Sequence, residues 1–216
     1  GFNAVRGLDR EAAGRIRLSA DPLTAHLLLA PVLAEFAALY PEIEIDLQLS
    51  YATDSLERNE TDVSVRHVVE VSEDAVGRKL FPLSIGIFAS RGYIDRALPA
   101  AGPKGAGLTF VSYGAVPEVQ AMIDRSPFPK ARLRHTVPDP EMQLHMARAG
   151  AGMVLLASWV TSVFPDLQRV PGTDLDRRRA TWVLLHGDLA RVRRVRLFVD
   201  YLCDALMERR ADFLGA

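Results

Sequence analysis

The chain of 216 residues has a single cysteine, Cys203, and no excess of charge of either sign. One cysteine cannot form an internal disulfide, which favours a protein of the reducing cytoplasm. The formal net charge of −1 argues against a dedicated nucleic-acid-binding domain, because such domains are strongly basic. No apolar run reaches the roughly 18 residues that a membrane span needs, and no signal-peptide pattern opens the chain. We therefore expect neither a membrane partner nor export.

The sequence also lacks the common catalytic and cofactor-binding signatures. It contains no G-x-S-x-G nucleophile elbow, no H-E-x-x-H zinc motif and no phosphate-binding loop. The five histidines show none of the paired spacings typical of metal ligands. The Gly150–Gly152 stretch lacks the third glycine of a dinucleotide fingerprint and is better interpreted as a tight turn. These absences predict a protein that is not an enzyme and that uses no metal and no cofactor.

Arginine is concentrated near the C-terminus, where four arginines occupy Arg191 to Arg196 ahead of an apolar helix. Clustered arginine is typical of a phosphate-binding surface. Residues 41–76, however, carry ten acidic residues against two arginines, and mixed charge steers polyanions poorly. We interpret the arginine cluster as the solvated start of a helix and expect no specific binding of duplex DNA by this chain.

The first 70 residues have the pattern of a βαβαβ unit. "GRIRLS" predicts a short strand, and Asp21 and Pro22 suit the N-cap and first position of the apolar helix that follows. Pro31 lies inside that helix and predicts a kink or a restart, because proline removes a backbone donor. The strict alternation of Ile43–Leu49 predicts a strand at a sheet edge, and "DVSVR" predicts a third, parallel strand. A short helix is expected at "TDSLERN", between the second and third strands.

Strands and helices continue to alternate through the second half, which places the chain in the α/β class. Strands are predicted at "LSIGIFAS", "LTFVS", "LRHTV", "AGMVLLA", "LQRV" and "TWVLLH", and helices at "VPEVQAMID", "PDPEMQLHMARAG" and "SWVTSVF". The last helix has apolar residues on one face, which predicts that it packs on a core. Its members are Val195, Phe198, Val199, Leu202 and Leu206.

Several of these stretches, taken in order, resemble the effector-binding domain of LysR-type transcriptional regulators. The opening matches in Gly14, Pro31, Phe36 and the Tyr40-Pro41 pair. "ETDVSVR" resembles the family's third strand, with Asp62 and Arg66 in matching places, and "FASRGYI" resembles its hinge element, with Ser90 and Tyr93 kept. "ARAGAGMVLLASWV" and "TWVLLHGDLARVRRVRLFVDYLCDAL" match the family's later elements. The resemblance covers residues 14–214.

The resemblance implies two Rossmann-like lobes joined by a hinge, similar to type 2 periplasmic binding proteins. Residues 15–88 and 188–216 would form the first lobe and residues 89–187 the second, while residues 1–14 would end a linker helix. The winged helix-turn-helix that precedes this domain in the family is not in the sequence. The implied protein is cytoplasmic, and it would bind promoter DNA through that missing part.

Ligands of open α/β sheets bind at the carboxyl ends of the strands, and the family's contacts fall in matching segments. In the first lobe this rule selects eight candidate effector-binding residues: Ser19, Asp21, Thr24, Ser50, Tyr51, Thr53, Arg66 and His67. In the second lobe it selects Ser112, Tyr113, Thr136 and Asp139. A helix N-terminus and Arg66 together favour a small anionic effector, although Asp21 competes for the helix end and Arg66 has an alternative partner in Asp62 or Glu60.

The resemblance also implies a homodimer of this domain, with first lobe against second, and a homotetramer of the full-length protein. The helix from Pro22 to Tyr40 and the edge strand Ile43–Leu49 would form the contact. Two other interpretations remain open at this point. A periplasmic-type solute-binding protein would need an export signal, and a small enzyme on the same fold would need a convergent acid, base or nucleophile.

Overall fold

The computed structural model describes residues 12–51, 61–114 and 116–213, which form two units. Within these residues, unit 1 runs to Leu83 and resumes from Arg178 to Ala211, and unit 2 runs from Ser84 to Arg177. The units therefore divide at 83/84 and 177/178, earlier in the chain than the lobe boundaries predicted at 88/89 and 187/188. Each division falls inside a long strand that continues from one unit into the other. The predicted linker helix and the helix at "TDSLERN" fall almost entirely outside the described residues, except that Gly14 belongs to the first strand.

The elements follow an α/β order, as expected. The strands are β1 (Gly14–Ala20), β2 (Ile43–Leu49), β3 (Val63–Val68), β4 (Val76–Ser90), β5 (Thr109–Ser112), β6 (Arg132–Thr136), β7 (Val154–Ala157), β8 (Leu167–Arg169) and β9 (Asp176–Leu185). The helices are α1 (Pro22–Leu39), α2 (Arg91–Ala97), α3 (Pro117–Arg125), α4 (Pro140–Arg148), α5 (Val160–Val163), α6 (Arg193–Glu208) and α7 (Arg210–Phe213). Short 3-10 turns occur at Pro103–Gly105 and Gly187–Leu189.

Unit 1 is built on a sheet in which β1 lies between β2 and β3 and is parallel to both. β3 pairs antiparallel with β9, and β2 is at the sheet edge. The edge position predicted from the alternation of β2 is therefore confirmed, as is the parallel arrangement predicted for these three strands. The parallel pairing brings the carboxyl ends of β1, β2 and β3 to one edge of unit 1, where the first candidate site lies.

Helix α1 begins as predicted, with Asp21 accepting a hydrogen bond from the backbone N–H of Thr24 at 3.0 Å and Pro22 in the first turn. Its second turn, Ala25–Leu29, is π-helical, and regular α-helix resumes at Ala30 with Pro31 in its first positions. A proline in the first turn of a helix loses no hydrogen bond. The predicted restart at Pro31 is confirmed, and the π-helical turn is how the helix accommodates it.

Among the described helices, α1 has the 18-residue length and a mean hydropathy, 1.6, that are compatible with a membrane span. Its inner face is nevertheless part of the core of unit 1, since Leu29, Val32 and Phe36 have no exposed surface. Phe36 packs edge-to-face against Phe198 of α6 with the ring centroids 5.1 Å apart. The buried apolar face predicted for α6 is confirmed.

Unit 2 contains the parallel pair β5–β6 and the antiparallel pairs of β4 with β7 and β8. Two residues of the "FASRGYI" element have structural roles here. Ser90 accepts a hydrogen bond from the Tyr93 N–H as the N-cap of α2, and the buried Tyr93 hydroxyl accepts one from the Thr109 N–H at 2.9 Å. Tyr93 also belongs to the apolar core of unit 2, together with Phe110 and Met153.

Candidate functional site

The ends of three parallel strands in unit 1 are joined by one arginine. Arg66, in β3, is 5% exposed and donates from Nη2 to the Ser19 hydroxyl at 2.6 Å and from Nη1 to the Ser50 carbonyl at 3.1 Å. Ser19 is in β1 and Ser50 directly follows β2. Three candidate residues from distant parts of the sequence are thus in direct contact, because parallel pairing aligns their strand ends.

A second polar cluster links the start of α1 to β3 and β9. The His67 ring lies 2.8 Å from the Thr24 hydroxyl at Nε2 and 2.8 Å from the Thr181 hydroxyl at Nδ1. Nε2 is also 3.6 Å from a carboxylate oxygen of Asp21, whose other oxygen caps α1. Each ring nitrogen therefore meets a hydroxyl, and the helix start is tied to the sheet through His67.

Thr181 was not predicted from the sequence. It lies in the middle of β9, where it is opposite His67 in the antiparallel register with β3. A threonine inside a strand has a strong structural explanation in its β-branched shape, so its type carries no functional signal. The pairing of β3 with β9, which are more than a hundred residues apart in the sequence, is what brings it to the site.

The alternative partner proposed for Arg66 is wrong in the case of Asp62. The Asp62 carboxylate accepts from both the backbone N–H and the Nη2 of Arg17, each at 2.9 Å. Asp62 is thereby occupied in joining β1 to the start of β3. Glu60, the other alternative, lies outside the described residues.

Burial changes the acid–base behaviour of the two adjacent residues of β3. It lowers the pKa of the Arg66 guanidinium, an effect partly opposed by the negative charge of Asp21. Burial also lowers the pKa of His67; Asp21 opposes this shift and Arg66 reinforces it. A neutral imidazole between two hydroxyls donates from one nitrogen and accepts at the other, so His67 orders the start of α1 without adding charge.

Two candidates of unit 1 remain, Tyr51 and Thr53. Tyr51 follows Ser50 with 41% of its surface exposed, so it is accessible at the strand ends. Thr53 is outside the described residues. Unit 1 also has a cavity of about 550 Å³ beneath the β3–β4 connection, with Arg66 in its wall.

In unit 2 the four candidates lie at or just after the ends of β5 and β6, where Ser112 and Thr136 are partners in the parallel register. The Ser112 carbonyl accepts from the Val137 N–H at 2.8 Å, and Gly114 packs closely against Thr136. Asp139 caps α4 by accepting from the Glu141 N–H at 3.2 Å. Tyr113 lies between Ser112 and Gly114 and is half-buried. The strand-end rule thus selected neighbours in unit 2, although Asp139 has a local structural role.

The chemistry of these clusters is that of binding. Hydroxyls, a held guanidinium and helix-capping carboxylates recognise polar groups, and no group of histidine, cysteine and carboxylates suited to a metal occurs within residues 12–51, 61–114 and 116–213. Cys203 is buried in α6 with its pKa raised by burial to about 11, so its thiol is unreactive at neutral pH.

Comparison with known families gives one match over most of the chain. The family described as LysR substrate binding domain matches residues 9–207. A curated protein of Xanthomonas campestris pv. campestris (strain 8004), named HTH-type transcriptional regulator, is 34% identical over 94 residues. That match covers 44% of this chain and 27% of the relative, so this chain aligns with a minor part of a longer protein.

Solved structures show the same fold at low sequence identity. The regulatory domain of CrgA, a LysR-type transcriptional regulator from Neisseria meningitidis, superposes with a TM-score of 0.76 at 22% identity, over 90% of this chain and 99% of that domain. Full-length AphB of Vibrio cholerae, a virulence activator, gives a TM-score of 0.68 at 20% identity, over 94% of this chain and 73% of AphB. The fold is therefore that of LysR regulatory domains.

Proposed function

The chain belongs to the LysR substrate-binding domain family and is an effector-sensing domain of a transcription regulator, and we propose that its effector is a small anionic molecule bound at the strand ends of unit 1. Domains of this family are generally not enzymes. The observation that carries the proposal is Arg66, a buried cation that is held between the ends of β1 and β2. Buried guanidinium groups recognise carboxylates and phosphates through paired hydrogen bonds.

The helix start adds less to this proposal than the sequence suggested. Asp21 already accepts from the Thr24 N–H, so its carboxylate occupies the end of α1. The anionic character therefore rests on Arg66, with Ser19, Thr24, Ser50, Tyr51 and His67 as polar neighbours. We also propose Thr53 of unit 1 and, at the strand ends of unit 2, Ser112, Tyr113, Thr136 and Asp139 as effector-binding residues.

The proposed regulator is cytoplasmic and binds promoter DNA through a winged helix-turn-helix outside this chain. The Xanthomonas relative, named as an HTH-type regulator, supports this interpretation over a periplasmic-type solute-binding protein. We further propose that the full-length protein is a homotetramer built from dimers of this domain.

Screening of metabolites by thermal shift tests the effector proposal. An anionic effector present at about 100 times its dissociation constant is expected to stabilise the chain by about 2.7 kcal/mol. Tyr51→Ala should weaken binding of the same compound, whereas Val163→Ala, an equally exposed position in unit 2, should leave it unchanged. A hit whose affinity is unaffected by Tyr51→Ala would argue against the strand ends of unit 1, and the absence of any anionic hit would contradict the proposal.

The homodimer proposal has support from both surfaces concerned. β2 is the edge strand of the described sheet, with Leu47 and Leu49 39% and 44% exposed, and Leu39 at the end of α1 is 61% exposed. β2 also presents Glu44 and Asp46 to solvent. In unit 2, β6 presents the exposed Arg132 and Arg134 at the same two-residue spacing. Edge strands of opposite charge favour antiparallel contact between unit 1 of one copy and unit 2 of another.

Light scattering at high micromolar concentration is expected to give about twice the chain mass, as a closed two-fold dimer requires. The double variant Glu44→Arg with Asp46→Arg places like charges against β6 of the second copy, so it should shift the mass to that of one chain. The control, Glu73→Arg with Asp74→Arg, makes the same charge change in the exposed β3–β4 connection and should remain dimeric. A wild-type monomer, or equal behaviour of the two double variants, would contradict the proposed contact.

A further inference from the structure

Unit 2 has a cavity of its own at the amino ends of β5 and β6. Its volume, about 540 Å³, is within the range of sites for small molecules, about 300–1,000 Å³. It is lined by residues 106–109 and by three residues of the segment 130–134. The candidate effector residues Ser112 and Thr136 lie at the carboxyl ends of the same two strands, so the cavity is separate from them.

Three cations line this cavity, and no acid among the described residues does. Lys130, Arg132 and Arg134 are all exposed and occupy every second position. Alternate side chains of a strand share one face, which places Arg132 and Arg134 about 6.6 Å apart along β6. None of the three cations is paired with an acid within residues 12–51, 61–114 and 116–213. Their mutual repulsion is therefore relieved by an added anion.

The backbone beside these cations is held by hydrogen bonds. The Arg132 N–H donates to the Leu108 carbonyl at 2.8 Å, and the Lys130 N–H donates to the carbonyl of Lys104, a further cation, at 2.9 Å. Gly107 is exposed with a φ of +92°, and an added Cβ atom there would meet none of the described residues within 4 Å. The cations thus border a fixed backbone segment with open space at Gly107.

We propose that this cavity binds a small molecule that carries a chain of two or three phosphate groups. Guanidinium groups recognise phosphate oxygens through paired hydrogen bonds, and a lysine adds a point charge. The cations are spread along the strand, so several linked phosphate groups can each meet one of them, whereas a single phosphate cannot reach all three. This inference goes beyond the proposed function, because the site is distinct from the effector site.

The cavity shares two residues with the proposed dimer contact. Arg132 and Arg134 are the residues that the dimer would place against β2 of a second copy. A bound phosphate chain and a second copy therefore compete for the same cations. In light scattering at high micromolar chain concentration, tripolyphosphate is expected to lower the mass more than sodium chloride of equal ionic strength. If tripolyphosphate binds and the mass stays unchanged, the β2 contact is wrong and the anion site stands.

Calorimetry with inorganic phosphates at constant ionic strength tests the ligand class. Tripolyphosphate should bind the 216-residue chain at least about tenfold more tightly than orthophosphate. Equal affinities, or a tripolyphosphate dissociation constant weaker than about 1 mM, would overturn the proposal. Adenosine triphosphate then distinguishes two sources of such a chain. Tighter binding than that of tripolyphosphate indicates a nucleotide, and equal or weaker binding indicates that the phosphate chain alone is recognised.

Three glutamine variants test the location. Arg132→Gln and Arg134→Gln should each weaken tripolyphosphate binding about tenfold or more, the usual cost of losing a hydrogen bond to a charged group. The control is Arg169→Gln, an exposed arginine of β8 in the same unit that does not line the cavity. It should leave the affinity unchanged. Equal losses in all three variants would indicate diffuse attraction and contradict the site.

Arg66→Lys separates this site from the effector site of unit 1. Tripolyphosphate binding should be unaffected by this substitution, because Arg66 belongs to a different unit. A weaker affinity in Arg66→Lys together with an unchanged affinity in Arg134→Gln would assign the anion to the effector site and overturn the inference.

Discussion

Phe36→Ala is expected to lower the free energy of unfolding of unit 1 by about 3–5 kcal/mol, the usual cost of removing a buried aromatic ring. Phe36 has no exposed surface, and its ring is 4.9 Å from that of Tyr40, 5.1 Å from Phe198 and 5.4 Å from Tyr201. It therefore joins α1 to α6. The loss includes both the apolar transfer energy and the cavity left between the helices, and denaturant unfolding measures it.

The same helix provides the control. Leu39 is 61% exposed near the end of α1, so Leu39→Ala removes a smaller apolar group from the same helix without opening a cavity. Its effect should stay within about 0.5 kcal/mol, as for most surface substitutions. A loss below about 1 kcal/mol for Phe36→Ala would show that the helices do not depend on this contact. Because α1 starts at the proposed effector site, loosening α1 should also weaken effector binding.

The local pattern of the sequence was sufficient to predict the described elements of unit 1 up to β3. Alternation in β2 indicated an edge strand, and the capping pair Asp21-Pro22 located the start of α1, since both signals depend on neighbours in sequence. The π-helical turn at Ala25–Leu29 was not predictable from these signals. The sequence allowed either a kink or a restart of the helix at Pro31. The packing of the helix against its surroundings decides between them, and local sequence does not specify that packing.

Contacts between distant segments determine two features that were not predicted, the early start of β4 and the contact of Thr181 with His67. β4 was predicted from residue 83, but it begins at Val76, because its first residues lie beside β9 and Gly77 allows the backbones to approach there. Residues such as Arg78 and Lys79 have low strand propensity and gave no local signal. For the same reason Thr181 was missed as a partner of His67, while Ser19, Ser50 and Arg66 were predicted, because strand ends can be inferred from topology.

Substitution of Arg66 has the second large expected effect, and two variants separate its structural role from its proposed role in binding. Arg66→Ala removes the donors of the Ser50 carbonyl and the Ser19 hydroxyl, and buried polar groups left without partners cost about 1–3 kcal/mol each. We expect a loss of unfolding free energy on the order of 3 kcal/mol. Arg194→Ala, which also removes a bond to a backbone carbonyl but at the surface, is the control and should cost less.

Arg66→Lys keeps the positive charge but cannot reproduce the arginine fork, because one ammonium group does not span two acceptors in the geometry that a planar guanidinium provides. Its stability should fall by less than that of Arg66→Ala, so the variant remains folded and measurable. Calorimetry with an anionic effector from the metabolite screen should then show a tenfold to hundredfold weaker dissociation constant, or about 1.4–2.7 kcal/mol. A folded Arg66→Lys protein with unchanged affinity would remove Arg66 from the effector site and leave it as a tie between strand ends.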